Sequence, residues 1–239
     1  MNYDQYIQKS EPFVRWMLDW QSQIPTVSLQ SLIGEHPEQV GIVSVDIIEG
    51  FCSVGPLSSP RVDALVAPIV QVFESAWAAG VRDIALTQDT HPADAVEFAN
   101  YAPHCMRGTL ESQTAAGIKA LPFYNQMTIH EKNSINSGVN DSFAAWFKAR
   151  PHIRTWIILG DCTDICTFQL ATYIRTYTYE HQMAGVRVIA PVDCIDTYDL
   201  PVSVAQEIGA TPHDADFLHP VFLYAMHLNG VEVVNTLTP

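Results

Sequence analysis

Positive charge is scarce in this chain. Its 239 residues include 12 Lys and Arg against 26 Asp and Glu, for a formal net charge of −14. A phosphate backbone would be repelled on average, so nucleic acid is not an expected partner. The acidity itself requires no meaning beyond solubility. Long apolar runs are also missing. None approaches the roughly 20 residues of a membrane-spanning helix, so no membrane insertion is expected. The opening MNYDQYIQKSEPFVRWMLDW lacks the basic start and apolar stretch of a secretory signal. Cysteines number five, an odd count, and two of them sit four apart in GDCTDICT. That is no disulfide framework, and a cytosolic chain with reduced thiols is expected. Three residues separate Cys162 from Cys166, one more than a thioredoxin-like redox pair uses.

Apolar side chains are plentiful, at 48% of the chain, while charged ones make up 16%. Such a chain can bury a large core, and its length suits one α/β domain. Residues 1–38 read as an N-terminal extension. Within it, Pro12 to Gln21 has the spacing of a short helix with Phe13, Trp16, Met17 and Trp20 on one face. That face suits packing on the main domain or on a second subunit, and a homo-oligomer is expected.

Residues 39–239 alternate between strand and helix patterns. Val40–Val45 is an apolar run ending at Asp46, as expected of a strand buried on both faces. Val62, Leu65, Val66, Ile69, Val70, Phe73 and Trp77 recur at helical spacing until Gly80. Further strands are expected at Ile84–Thr87, Met127–His130, Trp156–Leu159, Val186–Ala190 and Val231–Val234, with a helix from about Cys166 to His181. This rhythm implies a mostly parallel sheet with helices on both faces, in which ligands bind beyond the carboxyl ends of the strands. Asp46, Asp89, Lys132 and Cys166 all fall at or just past such ends, so four reactive side chains could converge on one rim.

Each of these residues has an ordinary structural reading and a chemical one. Cys166 could be a buried core thiol. In the first turn of a helix it would instead feel the positive end of the helix dipole, which favours thiolate. Asp46 could cap the next turn, or take a thiol proton and return it to a leaving amine. Lys132 could be solvated, or sit beside Cys166 and pair with Asp46. In the extended segment Gln88-Asp89-Thr90-His91, alternation puts Asp89 and His91 on one side, where both reach one ion. His104 in Pro103-His104-Cys105 would be a third ligand, and Glu97 a fourth, directly or through water. Oxygen and imidazole donors suit Zn, Fe or Mn.

Five blocks carry a resemblance: VSVDIIEGFCSVG, TQDTHP, YAPHCMRGT, HEKNSINSGVNDSF and GDCTDICT. In this order they resemble the isochorismatase-like cysteine hydrolases, and within them the nicotinamidases, most of all the plant-type branch. The resemblance implies a three-layer α/β/α fold around a parallel six-stranded sheet. It implies a Cys–Asp–Lys triad at Cys166, Asp46 and Lys132, and one divalent metal ion, zinc by preference, on Asp89, His91 and His104. Glu97 is the variable member of that metal set. An aromatic pair sandwiches the pyridine ring in such enzymes. Phe51 matches one partner, and Tyr101 stands where the other is often Trp. The resemblance also implies a cis peptide at Asp161–Cys162 and an oxyanion hole from the backbone N–H groups of Cys162 and Cys166. The implied reaction is hydrolysis of nicotinamide in NAD salvage. The alternative is a related hydrolase acting on another amide or N-carbamoyl substrate.

Overall fold

Eight strands form, and six of them build one parallel sheet. In a computed structural model that describes residues 1–239, the strands are β1 (Val27–Ser28), β2 (Val40–Val45), β3 (Asp83–Asp89), β4 (Thr128–Lys132), β5 (Thr155–Gly160), β6 (Arg187–Pro191), β7 (Glu232–Val234) and β8 (Leu237–Thr238). The six-stranded sheet has the order β4-β3-β2-β5-β6-β7, and every neighbouring pair is parallel. The chain therefore steps from β2 outward to β4, returns to the centre at β5, and steps outward the other way. The reversal falls between β2 and β5, which are paired from Val40↔Thr155 to Val45↔Gly160. In open sheets of this kind the crevice for ligands opens there, beyond the carboxyl ends.

Alternation along the central strands divides the core. Val40 and Ile42 of β2, with Ile157 and Leu159 of β5, join one apolar cluster. Val43, Val45, Trp156 and Ile158 join the other. The helices of eight or more residues are α1 (Tyr3–Ser22), α2 (Val66–Ala78), α3 (Asp141–Lys148), α4 (Cys166–Glu180) and α5 (Ala215–Leu228). Helix α2 covers the first face with Ile69, Val72, Phe73 and Ala76. The second face is covered by Phe143 and Phe147 of α3, Leu170 and Ile174 of α4, and Leu223 and Met226 of α5. The result is three layers, with a parallel six-stranded sheet in the middle.

Two expectations need correction. The helix expected from Pro12 to Gln21 runs from Tyr3 to Ser22. Asn2 accepts from the Gln5 N–H while the Gln5 side chain returns to the Asn2 N–H, and this capping box sets the start nine residues before Pro12. Pro12 is solvent-facing, where water can satisfy the carbonyl it leaves unpaired. Met17 is buried, and the rings of Phe13, Trp16 and Trp20 all pack against Tyr224 of α5, with Phe13 and Trp16 still 48% and 49% exposed. The helical pattern from Val62 to Trp77 is broken into a turn at Pro60–Asp63 and α2, because Pro60 opens a separate capped turn at Ser59. In residues 27–33, β1 pairs with β8, and Leu29 and Ile33 enter the first core cluster.

Candidate active site

The site grows from the ends of β2, β3, β4 and β5. At the end of β2 the backbone turns sharply at Asp46, whose φ of 56° is unfavourable for a residue with a Cβ. The conformation is held from both ends. Asp46 N–H donates to the Thr87 carbonyl at 2.8 Å, and the Asp89 N–H donates to Asp46 Oδ1 at 2.8 Å. The neighbouring strand end requires Gly160. Its φ is +117°, and a Cβ there would lie 2.0 Å from the Val45 carbonyl oxygen. This close approach of β5 to β2 brings the loop carrying Cys162 and Cys166 against Asp46.

Lys132 lies inside β4, paired in register with Asp89. It is only 1% exposed, unusual for an ammonium. Its Nζ is 2.7 Å from Asp46 Oδ2, 2.5 Å from Asp89 Oδ1 and 3.8 Å from Cys166 Sγ. Burial alone would strip its proton, but Asp46 and Asp89 reverse that and push its pKa well up. For Asp46, burial and then the charge of Asp89 outweigh Lys132 and raise the pKa to about 7. Burial drives the Cys166 thiol well up, with Lys132 opposing. Near neutral pH the group is thus an ammonium, a thiol and a carboxyl poised between its two states. Such a carboxyl can accept a proton and give it back.

Cys166 is the first residue of α4. The Asp161–Cys162 peptide is cis. The backbone N–H groups of Cys162 and Cys166 donate to no acceptor in the protein, whereas the neighbouring N–H of Thr163 donates to the Asp196 carbonyl at 2.9 Å. Asp161 was not a candidate from sequence. It is buried beside Asp46, and burial raises its carboxyl pKa well above the ordinary range.

The two histidine blocks meet because their backbones pair. His91 N–H donates to the Cys105 carbonyl at 3.0 Å, and Arg107 N–H to the His91 carbonyl at 2.8 Å. One ligand atom each from Asp89, His91 and His104 lies within 4.8 Å of the others, and all three residues are buried. Asp89 Oδ2 is 3.6 Å from His91 Nε2 and 3.9 Å from His104 Nε2, too far for hydrogen bonds. His91 Nδ1 faces Asn133 Oδ1 at 2.6 Å, and His104 Nδ1 faces the Ala102 carbonyl at 2.8 Å. Both Nδ1 atoms must donate, which turns the Nε2 lone pairs inward toward the carboxylate. His91 Nε2 is buried with no partner. Three inward-facing electron pairs suit a cation, so these residues fit a divalent metal ion. A second close trio, Asp46, Asp89 and Cys166, is already neutralised by the Lys132 ammonium. Glu97 is half-buried and stands outside both trios, although it lines the same pocket.

That pocket is lined by Asp46, Asp89, His104, Cys162 and Cys166 together with Phe51 and Tyr101. The ring of His104 lies 5.7 Å from Phe51 and 6.2 Å from Tyr101, centroid to centroid. Leu57, Ile135, Asp161, Ile165 and Tyr198 complete the lining and were missed from sequence. Tyr198 lies beyond the end of β6 at Pro191, too far along the chain for the strand-end rule to flag it.

The isochorismatase domain family matches residues 40–208. This chain belongs to the isochorismatase family. It is 30% identical over 241 residues to Nicotinamidase 1 of Arabidopsis thaliana, covering 90% of this chain and 93% of that one. The nicotinamidase of Bacillus subtilis has a similar structure, with a TM-score of 0.63 at 17% identity over 82% of this chain and 99% of that one. N-carbamoylsarcosine amidase of Thermoplasma acidophilum shares the fold at a TM-score of 0.57 and 19% identity, over 82% and 96% of the two chains. Within the isochorismatase family the chain is a nicotinamidase-type amidohydrolase. All the candidate residues, from Asp46 to Cys166, lie inside the segment matched to the isochorismatase domain.

Proposed function

We propose that this protein hydrolyses nicotinamide to nicotinate and ammonia through a thioester on Cys166, as a step of NAD salvage in the cytosol. One observation carries the reading. Lys132 Nζ touches Asp46, Asp89 and Cys166 together, so the proposed triad and the metal cluster share Asp89 as a common wall.

In this reading Phe51 and Tyr101 hold the pyridine ring between them and exclude water from its faces. A divalent ion on Asp89, His91 and His104, zinc by preference or iron or manganese, would supply a Lewis-acidic point for the ring nitrogen and so orient the carboxamide. Glu97 would support that cluster from the pocket wall. Asp46, with its pKa near 7, takes the proton from Cys166 Sγ. Lys132 keeps its proton and stabilises the resulting thiolate, 3.8 Å from its Nζ. The thiolate adds to the amide carbon, and the oxyanion accepts from the N–H groups of Cys162 and Cys166, each donor worth about 3 kcal/mol. Asp46 returns the proton to nitrogen, ammonia leaves, and the thioester remains. Water attacks that thioester with Asp46 again taking a proton, which releases nicotinate and restores the thiol.

Benzamide provides the test. It keeps the scissile bond and the stacking surface but lacks the ring nitrogen, so its kcat/KM falls at least about 100-fold through lost positioning. Pyrazinamide keeps a nitrogen in the equivalent place and is accepted. Measurement is by ammonia release from metal-loaded protein, with one N-carbamoyl compound included. Benzamide matching nicotinamide would remove the ion from substrate recognition. An N-carbamoyl substrate outrunning all three amides would replace the reading with that of a ureido hydrolase.

A further inference from the structure

The segment that follows β6 contributes one wall of the pocket, and a three-residue device holds it there. Ile195 bridges in parallel to Gly160, and the Thr163 N–H donates to the Asp196 carbonyl at 2.9 Å. These contacts carry residues 195–198 along the loop between Cys162 and Cys166. Thr197 Oγ1 donates to Asp164 Oδ1 at 2.7 Å, which ties the two segments side chain to side chain. Tyr198 then lines the pocket with Phe51, Tyr101, Cys162 and Cys166. Burial raises its phenol pKa, with the charge of Asp164 acting the same way. That hydroxyl makes no hydrogen bond to the protein, while the Tyr198 carbonyl is engaged by His213.

His213 closes the device. Its ring stacks on the Tyr198 ring, centroids 4.0 Å apart and planes 20° from parallel. Nδ1 is 2.8 Å from the Tyr198 carbonyl, and Nε2 is 2.8 Å from Asp164 Oδ2. Both partners are acceptors, so both ring nitrogens must donate, and the ring is an imidazolium. Its main chain is pinned as well, by paired hydrogen bonds with Leu200 at 2.7 and 2.9 Å. Asp164 and Asp199 are the charges that face it. Burial opposes the positive ring, but Asp164 more than offsets it.

We propose that Tyr198 is a third aromatic wall that touches the substrate ring, and that His213 is the residue that positions it against the Cys162–Cys166 loop through Asp164. The identity of the substrate rests on the nicotinamide reading above. His213 covers one face of the Tyr198 ring, and Tyr198 lines the cavity. Three aromatic rings around one pocket favour a flat heteroaromatic amide over a linear one. The contact is made to the bound ring in the ground state and the transition state alike, so it appears in KM more than in kcat.

The experiment measures KM and kcat for nicotinamide with the full-length, metal-loaded protein. Tyr198→Ala is expected to raise KM about tenfold with a smaller change in kcat, the loss of one aromatic contact. Tyr198→Phe should recover most of that loss. Asp164→Ala should raise KM as well. Asp164→Asn should do so less, since a neutral His213 can donate to the Tyr198 carbonyl and accept from the new amide. The nicotinamide concentration that half-protects Cys166 from iodoacetamide should rise in parallel with KM. If Tyr198→Ala does not fold, Tyr198→Leu fills the volume without the aromatic face, and the same rise is expected. A wild-type KM in the folded Ala or Leu variant, or equal effects of Asp164→Ala and Asp164→Asn, would overturn the assignment while leaving the nicotinamide reading in place. No ammonia release by the wild-type protein would overturn the nicotinamide reading, and Tyr198's substrate contact with it.

Discussion

Replacing Lys132 by Met tests the electrostatic centre of the site. The methionine keeps most of the volume of a side chain that is 1% exposed, so the cavity term is small. What is lost is the ammonium within 2.7 Å of Asp46 and 2.5 Å of Asp89. Two buried carboxyls then face each other without a counter-charge. Breaking a buried ion pair from one side costs about 3–5 kcal/mol. At about 2 °C per kcal/mol for a chain of this size, the thermal midpoint should drop by roughly 6–10 °C. The loss should also depend on pH. The Asp46 pKa is already about 7 with Lys132 present, above its ordinary 3.8. A carboxyl whose folded pKa is raised costs stability once pH exceeds the unfolded value, and the cost grows until pH reaches the folded value. In the wild type that cost levels off near pH 7. Without Lys132 the folded pKa moves higher, so the cost keeps growing and the gap between the proteins widens from pH 6.5 to pH 9. The pKa of Lys132 itself is raised, so its contribution is constant across this window. Urea unfolding of chelator-treated wild type and Lys132→Met at both pH values measures the gap. A gap below about 1 kcal/mol, or one equal at pH 6.5 and pH 9, would refute a buried, doubly paired ammonium.

Three further outcomes are expected. Cys166→Ala should lower kcat at least about a thousandfold, while the circular dichroism spectrum and metal content stay those of the wild type; residual turnover of more than a few per cent would exclude a thioester. His91→Ala and His104→Ala should each lose the bound ion in elemental analysis, with a smaller loss in Glu97→Ala, and wild-type metal content in either histidine variant would move the metal site elsewhere. Gly160→Ala should destabilise the fold by about 2–6 kcal/mol, through positive φ and a clash with the Val45 carbonyl; a urea midpoint like that of the wild type would show that β5 can draw back from β2.

Much of this protein was determined by local pattern. The apolar runs Val40–Val45 and Trp156–Leu159 and the helical spacing of Ile69 and Phe73 each mark one kind of element, and the structure keeps them as two strands and a helix. The same locality explains why Asp89 and His91 were recognisable as a pair, since extended backbone turns alternate residues to one side. What tertiary structure alone decided is which ends meet. Strand order depends on packing across the whole sheet, and only the reversal between β2 and β5 sets Asp46 beside the Cys166 loop. Lys132 was legible as a residue near a strand end, but only the assembled sheet pairs it with Asp89, 43 residues earlier in the chain. Tyr198 carried no motif. Its place in the pocket comes from the Thr197–Asp164 and His213–Asp164 bonds, contacts between segments with no shared period. Periodicity records which face of an element is buried, but the partner buried against it is chosen by the free energy of the assembled core.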